Sequence, residues 1–329
     1  MTSTLFDVGI IGAGPAGLAC GIEAKKSGLS HIIFDKGCVV NALAHFPVNM
    51  MFFTTPELLE IGDLPLVSSH EKPSRLEGLK YYRRAVETYH LNVHQYERVE
   101  GVSGSDGDFS IHTRERLGHS SMYKARKMIV ATGYYDNPNR LGIPGEDLPK
   151  VSHYYTEAHP FFNQEVAVIG GRNSAVEAAL DLFRNGSHVT LIYRGAGFSS
   201  SVKYWIKPDI ENRVKRGEVK THFNTQVIAI KPDAVVVENS NGREELPNDF
   251  VFALTGYRPD ESFLRSLGIE LNPLDLKPTI DPNTFETNVP GIHMAGANVA
   301  GLKNNEIFIE NGRFHGKMIL QSIARSLRG

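Results

Sequence analysis

The stretch Val8-Gly9-Ile10-Ile11-Gly12-Ala13-Gly14-Pro15-Ala16-Gly17 decides the fold. A short apolar run ends in glycines, the pattern of a buried parallel strand entering a tight turn. Pro15 to Lys26 continues in helix formers, and Ile32-Ile33-Phe34 gives a second strand ending at Asp35. The spacing predicts a βαβ unit. In its Gly-x-Gly-x-x-Gly turn, Gly12 permits the bend, Gly14 lets a pyrophosphate touch the backbone, and Gly17 lets helix and strand pack closely. The helix that opens at Pro15-Ala16 offers N–H groups and partial positive charge to phosphates. Asp35 stands where an acid accepts hydrogen bonds from an adenosine ribose. Glycine-rich turns recur in unrelated α/β proteins; the strand before, the helix after and the acid make dinucleotide binding the better reading.

The same grammar returns near residue 165. Glu165 to Ile169 reads as a strand, Gly170-Gly171-Arg172-Asn173-Ser174-Ala175 as a degenerate copy of the turn, and Ser174 to Asn185 as a helix stopped by Gly186. His188 to Tyr193 is the next strand, ending at Arg194. Gly170 keeps the bend and Ala175 the close packing. Arg172 replaces the second glycine, and its guanidinium either touches phosphate or points to solvent. Arg194 occupies the place of the ribose-binding acid. Its planar fork suits a 2′-phosphate, which favours NADPH over NADH; the alternative is a solvated surface arginine. A repeated unit is a more specific signal than either copy alone.

Two different nucleotides in one chain suggest electron transfer from a pyridine nucleotide to a flavin. The first site suits the ADP part of FAD, the second NADPH. The small-residue turns Ala131-Thr132-Gly133, Thr255-Gly256 and Ala295-Gly296 each follow a predicted strand. The expected fold is α/β, with two Rossmann-like dinucleotide-binding domains. The FAD domain comprises residues 1–145 and 250–329, and the NADPH domain is inserted at 146–249. Arg75 to Tyr89 reads as an amphipathic helix and Glu306 to Ala324 as a closing helix.

Composition narrows the function. The chain has 329 residues, 35 basic and 37 acidic, with a formal net charge of −2. No strong field of either sign follows, so a general nucleic-acid binder or a polybasic membrane protein is not expected. The N-terminal residues have no positive n-region, and no stretch reaches the roughly 18 apolar residues of a membrane span. A cytoplasmic protein is expected. Cys20 and Cys38 are the two cysteines, too few for a disulfide scaffold or a four-thiolate zinc site. His90 and His94 have H-x-x-x-H spacing but lack the zinc-protease glutamate and fall where a helix ends, so no metal is expected.

Longer segments carry a resemblance. They are Lys36-Gly37-Cys38-Val39-Val40-Asn41, Phe52-Phe53-Thr54, Glu60 to Pro65, Ala131-Thr132-Gly133-Tyr134-Tyr135, Val189 to Gly195 and Ile307 to Gly316. From Gly9 to about Lys317 the chain resembles two-dinucleotide flavoproteins of the thioredoxin reductase type. Within them it is most similar to the bacillithiol disulfide reductase (YpdA-like) family. The resemblance implies FAD and NADPH as cofactors, a small disulfide as acceptor, and a homodimer or other homo-oligomer. It adds Lys36, Asn41, Ala131, Thr132, Gly133 and Gly296 to the FAD site. It extends the NADPH site over Gly170 to Ala175 and to Arg194.

Departures from the pattern bear on mechanism. No Cys-x-x-Cys occurs, which excludes a dithiol relay to thioredoxin. Ala297 replaces the acid that thioredoxin reductases use on the flavin ribityl chain, a loss the YpdA-like pattern shares. Ala16 stands where that family's proposed redox cysteine lies. Cys20, four residues on, is the remaining redox candidate, set against a role as a packed inert thiol. The catalytic residue is therefore open. Two other functions compete: a ferredoxin- or flavodoxin-NADP reductase docking through Lys207, Arg213, Lys215 and Arg216, and a flavoprotein redox sensor without turnover.

Overall fold

A computed structural model describes residues 4–303 and 306–328. Residues 1–3, part of the N-terminal stretch read above for an export signal, lie outside the described residues. In chain order the elements begin with β1 (Leu5–Ile11), α1 (Pro15–Lys26), β2 (His31–Asp35), α2 (Arg75–Thr88) and β3 (Val93–Gln95). Next come β4 (Glu97–Ser105), β5 (Asp108–Glu115), β6 (Ser120–Val130), β7 (Val151–Ser152) and β8 (Glu165–Ile169). Then follow α3 (Asn173–Arg184), β9 (His188–Ile192), α4 (Lys207–Lys215), β10 (Lys220–His222) and β11 (Gln226–Ile230). The chain closes with β12 (Ala234–Asn239), β13 (Gly242–Pro247), β14 (Phe250–Ala253), β15 (Ile292–Met294) and α5 (His315–Arg328).

These elements form two compact units. One runs to Ala44, resumes at Met50–Asn137 and again from Tyr257; the other is Pro138–Gly256 with His45–Asn49. In the first, β3, β2, β1, β6 and β15 pair in parallel, and the N-terminal half of β6 also pairs antiparallel with β5, which pairs β4. In the second, β10, β9, β8, β14 and β7 form a five-stranded parallel sheet, and β11, β12 and β13 a separate antiparallel one. The repeat predicted from the glycine turns thus extends to whole sheets. It holds at single bonds: Gly12 N–H donates to Phe34 O at 2.7 Å and Gly170 N–H to Ile192 O at 3.0 Å. Likewise Ala131 N–H donates to Ile11 O at 2.8 Å and Leu254 N–H to Ile169 O at 2.9 Å.

The central strands end in apolar runs because helices and loops cover both faces of a parallel sheet. Val8, Ile10, Ile129 and Val130 in one unit, and Val168, Leu191 and Ile192 in the other, are fully buried. At the start of α2, Ser74 and Glu77 form a capping box, which satisfies two backbone N–H groups that the first turn leaves unpaired. Tyr81 and Tyr82, on the buried face of α2, pack edge to face at 5.0 Å. Their hydroxyls donate to the carbonyls of Leu64 and Leu59.

One expectation needs correction. The closing helix does not run unbroken from Glu306: a short turn at Ile309–Gly312 stops, and α5 starts at His315. Gly312 lies against the Gly296 backbone, and α5 packs on α1 with Gly316 against the Cys20 backbone. His90 and His94 do not share a face. His90 lies past the end of α2 at φ +49°, and His94 is in β3 with Nδ1 2.8 Å from Glu97 Oε2.

Candidate functional sites

The first site is built on the turn after β1. Gly12 has φ +111°, and a Cβ there would collide with the Ala131 carbonyl oxygen. A Cβ on Gly17 would overlap the Gly12 carbonyl oxygen. Gly14 differs: its φ is −73°, and a Cβ would meet no protein atom within 4 Å. Pro15 opens α1, where its missing N–H costs nothing. No side chain caps this helix end, and no acid lies in its first turn.

A cleft opens at the carboxyl ends of β1, β2 and β6, lined by Gly12, Asp35, Lys36, Thr132, Gly133 and Asp136 among others. Asp35 turns back toward the glycine loop. Oδ2 accepts from Ala13 N–H and Oδ1 from Gly37 N–H, both at 2.8 Å. Burial pushes its pKa above the usual carboxylate range, against the opposing pull of those two N–H groups. Each oxygen keeps a lone pair for a ribose hydroxyl. Lys36 Nζ pairs with Asp136 Oδ2 at 2.9 Å, an acid that the sequence reading missed although it lies three residues past Gly133. Asn41 packs its amide against Gly37, within reach of the Cys38 thiol.

The turn fits the ribose-phosphate of a dinucleotide. Its glycines leave backbone bare where a phosphate must approach, and the buried Thr132 hydroxyl has no partner among the described residues. A buried unpaired hydroxyl is costly, and a ligand oxygen would satisfy it.

Gly296 and Ala16 meet beside this turn, since a Cβ on Gly296, at φ +81°, would sit 2.8 Å from the Ala16 Cβ. Gly296 N–H donates to His315 Nδ1 at 3.2 Å, and the imidazole stacks on Phe285 at 4.2 Å. This bond leaves the proton on Nε2. Burial pushes the His315 pKa from 6.5 down to about 4. As pH falls from 6.5 to 4, the unfolded chain takes a proton that the folded chain refuses. Stability is therefore full above 6.5, is lost across that window by order of 3 kcal/mol, and loses no more to this residue below it. His315→Asn, which keeps an acceptor for Gly296 N–H, should flatten the fall of melting temperature between pH 6.5 and 4. His31 and His293, also pushed down by burial, keep part of the slope. Identical slopes in both proteins would contradict the assignment.

Cys20 is 0% exposed, and Gly316 of α5 packs directly on its backbone. Burial pushes its thiol up to about 12, so almost no thiolate exists at neutral pH. Cys38 is half-buried, with Sγ 3.7 Å from Asn41 Oδ1, and burial raises its pKa too. Cys20→Ala and Cys38→Ala, singly or together, should leave flavin content and the anaerobic bleaching of flavin by NADPH unchanged. Loss of bleaching in Cys20→Ala would make that thiol a redox group after all.

The second site lies in the other unit. Gly170 has φ +146°, and a Cβ there would come 2.6 Å from Leu254 O. The Tyr193 ring fills the space where Gly171 would carry a side chain. Arg172 is the N-cap of α3 and is exposed, as is Ser174, while Ala175 is buried. Asn173 turns its amide to the loop at 199–203: Nδ2 donates to Ser201 O at 3.0 Å and Oδ1 accepts from Lys203 N–H at 2.9 Å. Arg194 is exposed and lines a cleft with Asn224, Thr225, Gln226 and Glu238. Glu238 Oε1 already accepts from Arg243 Nε at 2.8 Å, which offsets its charge in that cleft. Of the basic residues on α4, Arg213 pairs with Asp209 and Glu218, and Lys207 lies 3.9 Å from Glu211. Lys215 and Arg216 are exposed, so the face keeps part of its positive charge. No helix among the described residues is long and apolar enough to cross a membrane.

Comparison with known proteins agrees with this geometry. The bacilliredoxin reductase Bdr of Bacillus subtilis (strain 168) is 44% identical over 320 residues, covering 96% of this chain and 97% of that one. The solved bacillithiol disulfide reductase Bdr (YpdA) from Bacillus cereus is 43% identical with a TM-score of 0.96, covering 98% of this chain and all of that one. The one from Staphylococcus aureus is 40% identical with a TM-score of 0.93, covering 98% and 99%. The model of the pyridine nucleotide-disulphide oxidoreductases matches residues 9–296. Spanning both nucleotide turns and nearly the full length of its relatives, the chain belongs to the pyridine nucleotide-disulphide oxidoreductase family and is an oxidoreductase.

Proposed function

We propose that the chain binds FAD at the first turn and NADPH at the second, and reduces a low-molecular-weight disulfide of the bacillithiol type. The observation that carries this is the doubled turn with opposite charge at its two ribose positions, Asp35 in one unit and Arg194 in the other. The names of the relatives at 44% and 43% identity support the acceptor. Flavin, when bound, supplies hydride acceptance and two-electron delivery to sulfur.

The chain's own residues bind and orient. Gly12, Gly14 and Gly17 bring backbone to the pyrophosphate, and Pro15 and Ala16 start the helix behind it. Asp35 and Lys36 flank the ribose, the turn at Ala131-Thr132-Gly133 closes the cleft, and Thr132 donates its spare hydroxyl. Asn41 packs its amide against Gly37, and Gly296 lies against Ala16 beside the turn that would hold FAD. Gly170 to Ala175 cradle the second pyrophosphate, with Arg194 on the 2′-phosphate. No thiol relay is assigned to this chain, because Cys20 is buried as a neutral thiol beneath α5. A cytoplasmic homodimer completes the reading.

The test is anaerobic reduction of the purified yellow protein by NADPH. A panel of bacillithiol disulfide, glutathione disulfide, ferredoxin and flavodoxin follows. Fastest reoxidation by bacillithiol disulfide is expected. Fastest reoxidation by ferredoxin or flavodoxin would favour the electron-transfer reading. Bleaching with no reoxidation by any of them would favour a sensor.

A further inference from the structure

The segment Ser199–Trp205 is neither strand nor helix, yet it is tied to the second glycine turn three times. Ser199 N–H donates to Gly171 O at 3.1 Å. Asn173 Nδ2 donates to Ser201 O, and Lys203 N–H donates to Asn173 Oδ1. The amide of Asn173 has one orientation that satisfies both bonds, since the reverse would set oxygen against oxygen and N–H against N–H. A fourth tie runs outside the turn, from Lys203 Nζ to Glu177 Oε1 on α3 at 2.6 Å. Val202 is buried in the core of this unit and anchors the segment.

What the segment presents outward is aromatic. Tyr204 is 82% and Trp205 47% exposed, packed edge to face at 5.0 Å, with Lys203 Nζ 5.7 Å from the Trp205 ring. Gly171 is confined, with the Tyr193 ring on the side where a Cβ would stand and its carbonyl bonded to Ser199. A phosphate seated on Gly171 to Asn173 must press on backbone that already holds the segment. Such a turn has little freedom to adjust alone, because close-packed groups move together.

We propose that Asn173 is a positioning residue of the nucleotide site: it holds Ser199–Trp205 as a strap on the second glycine turn, and filling the turn with a dinucleotide is felt at Trp205. This rests on the NADPH reading above and deepens it. Asn173 acts through the strap, which it holds with one donor and one acceptor of its side-chain amide.

Trp205 is the single tryptophan of the chain, so its emission reports the strap alone. The probe is NADP⁺, whose absorption does not overlap tryptophan emission, added to the FAD-loaded protein. Calorimetry measures binding independently. In the wild type, NADP⁺ should change Trp205 emission in step with calorimetric binding. Asn173→Ala loses two hydrogen bonds, so its NADP⁺ affinity should fall about tenfold. Even at saturation, its Trp205 response should fall to less than half. Asn173→Asp, which keeps the acceptor for Lys203 N–H, should recover part of it. Arg194→Ala should weaken affinity yet keep the full response at saturation, which separates coupling from binding. Glu177→Gln loosens the strap from outside the turn and should also reduce the response. It serves as the second variant if Asn173→Ala does not retain its flavin spectrum. A full response in Asn173→Ala, or calorimetric binding without any Trp205 change in the wild type, overturns the strap. Absence of calorimetric binding to the wild type overturns the NADPH reading and the strap with it.

Discussion

Gly14→Val should yield a folded, colourless protein. A Cβ at Gly14 meets no protein atom within 4 Å, and its φ of −73° is open to any residue. The chain itself therefore tolerates the substitution. The pyrophosphate does not, because this is the point where backbone must lie against it. Gly17 gives the contrasting case: a Cβ there overlaps the Gly12 carbonyl, so Gly17→Val should lose the fold along with the flavin. Flavin content from the 450 nm absorbance, with circular dichroism for the fold, separates the two. Wild type should carry about one FAD per chain and Gly14→Val less than about a tenth of that. A yellow Gly14→Val, or a wild type that cannot be loaded with FAD, would remove the first turn from the cofactor site.

Arg194→Ala should cost NADPH and spare NADH. Hydrogen bonds to a charged group contribute roughly 1.5–3 kcal/mol, or about ten- to a hundredfold in affinity. Arg194 is exposed at the rim of its cleft, which places the effect toward the lower end and makes it salt-sensitive. The KM for NADPH should rise about tenfold at low salt and less at high salt, while the KM for NADH stays within about twofold. Asn224 and Thr225, which line the same cleft, are left in place by the substitution. Equal use of both nucleotides by the wild type would leave Arg194 as a surface arginine.

The parts of this protein that follow local spacing were legible in its sequence. Glycines at 12 and 17 and at 170 and 171 stand where the turns leave no room for a side chain, and the apolar runs beside them dictate buried parallel strands. The strands running into Ala131, Leu254 and Ala295 were legible for the same reason. The lack of a Cys-x-x-Cys is a fact of composition, and the fold cannot change it.

Other features depend on contacts between distant residues, which leave no period in the sequence. β6 pairs with β1, β5 and β15, strands separated by more than a hundred residues at the extremes. The break before α5 reflects Gly312 on Gly296 and Gly316 on the Cys20 backbone. Asn173 reads as a nucleotide contact by its place in the motif, but the loop thirty residues on claims its amide. Asp35 reads as a ribose acid, and the fold gives it a second task, since its oxygens also hold the glycine loop with one lone pair each to spare. By itself the sequence determined where the two nucleotide turns lie and which charge stands beside each, because a turn's steric demands fall on the residues that form it. Only the tertiary structure decided which side chains remain free to meet a ligand, because a hydrogen-bonding group answers to whatever partner the fold brings within 3 Å.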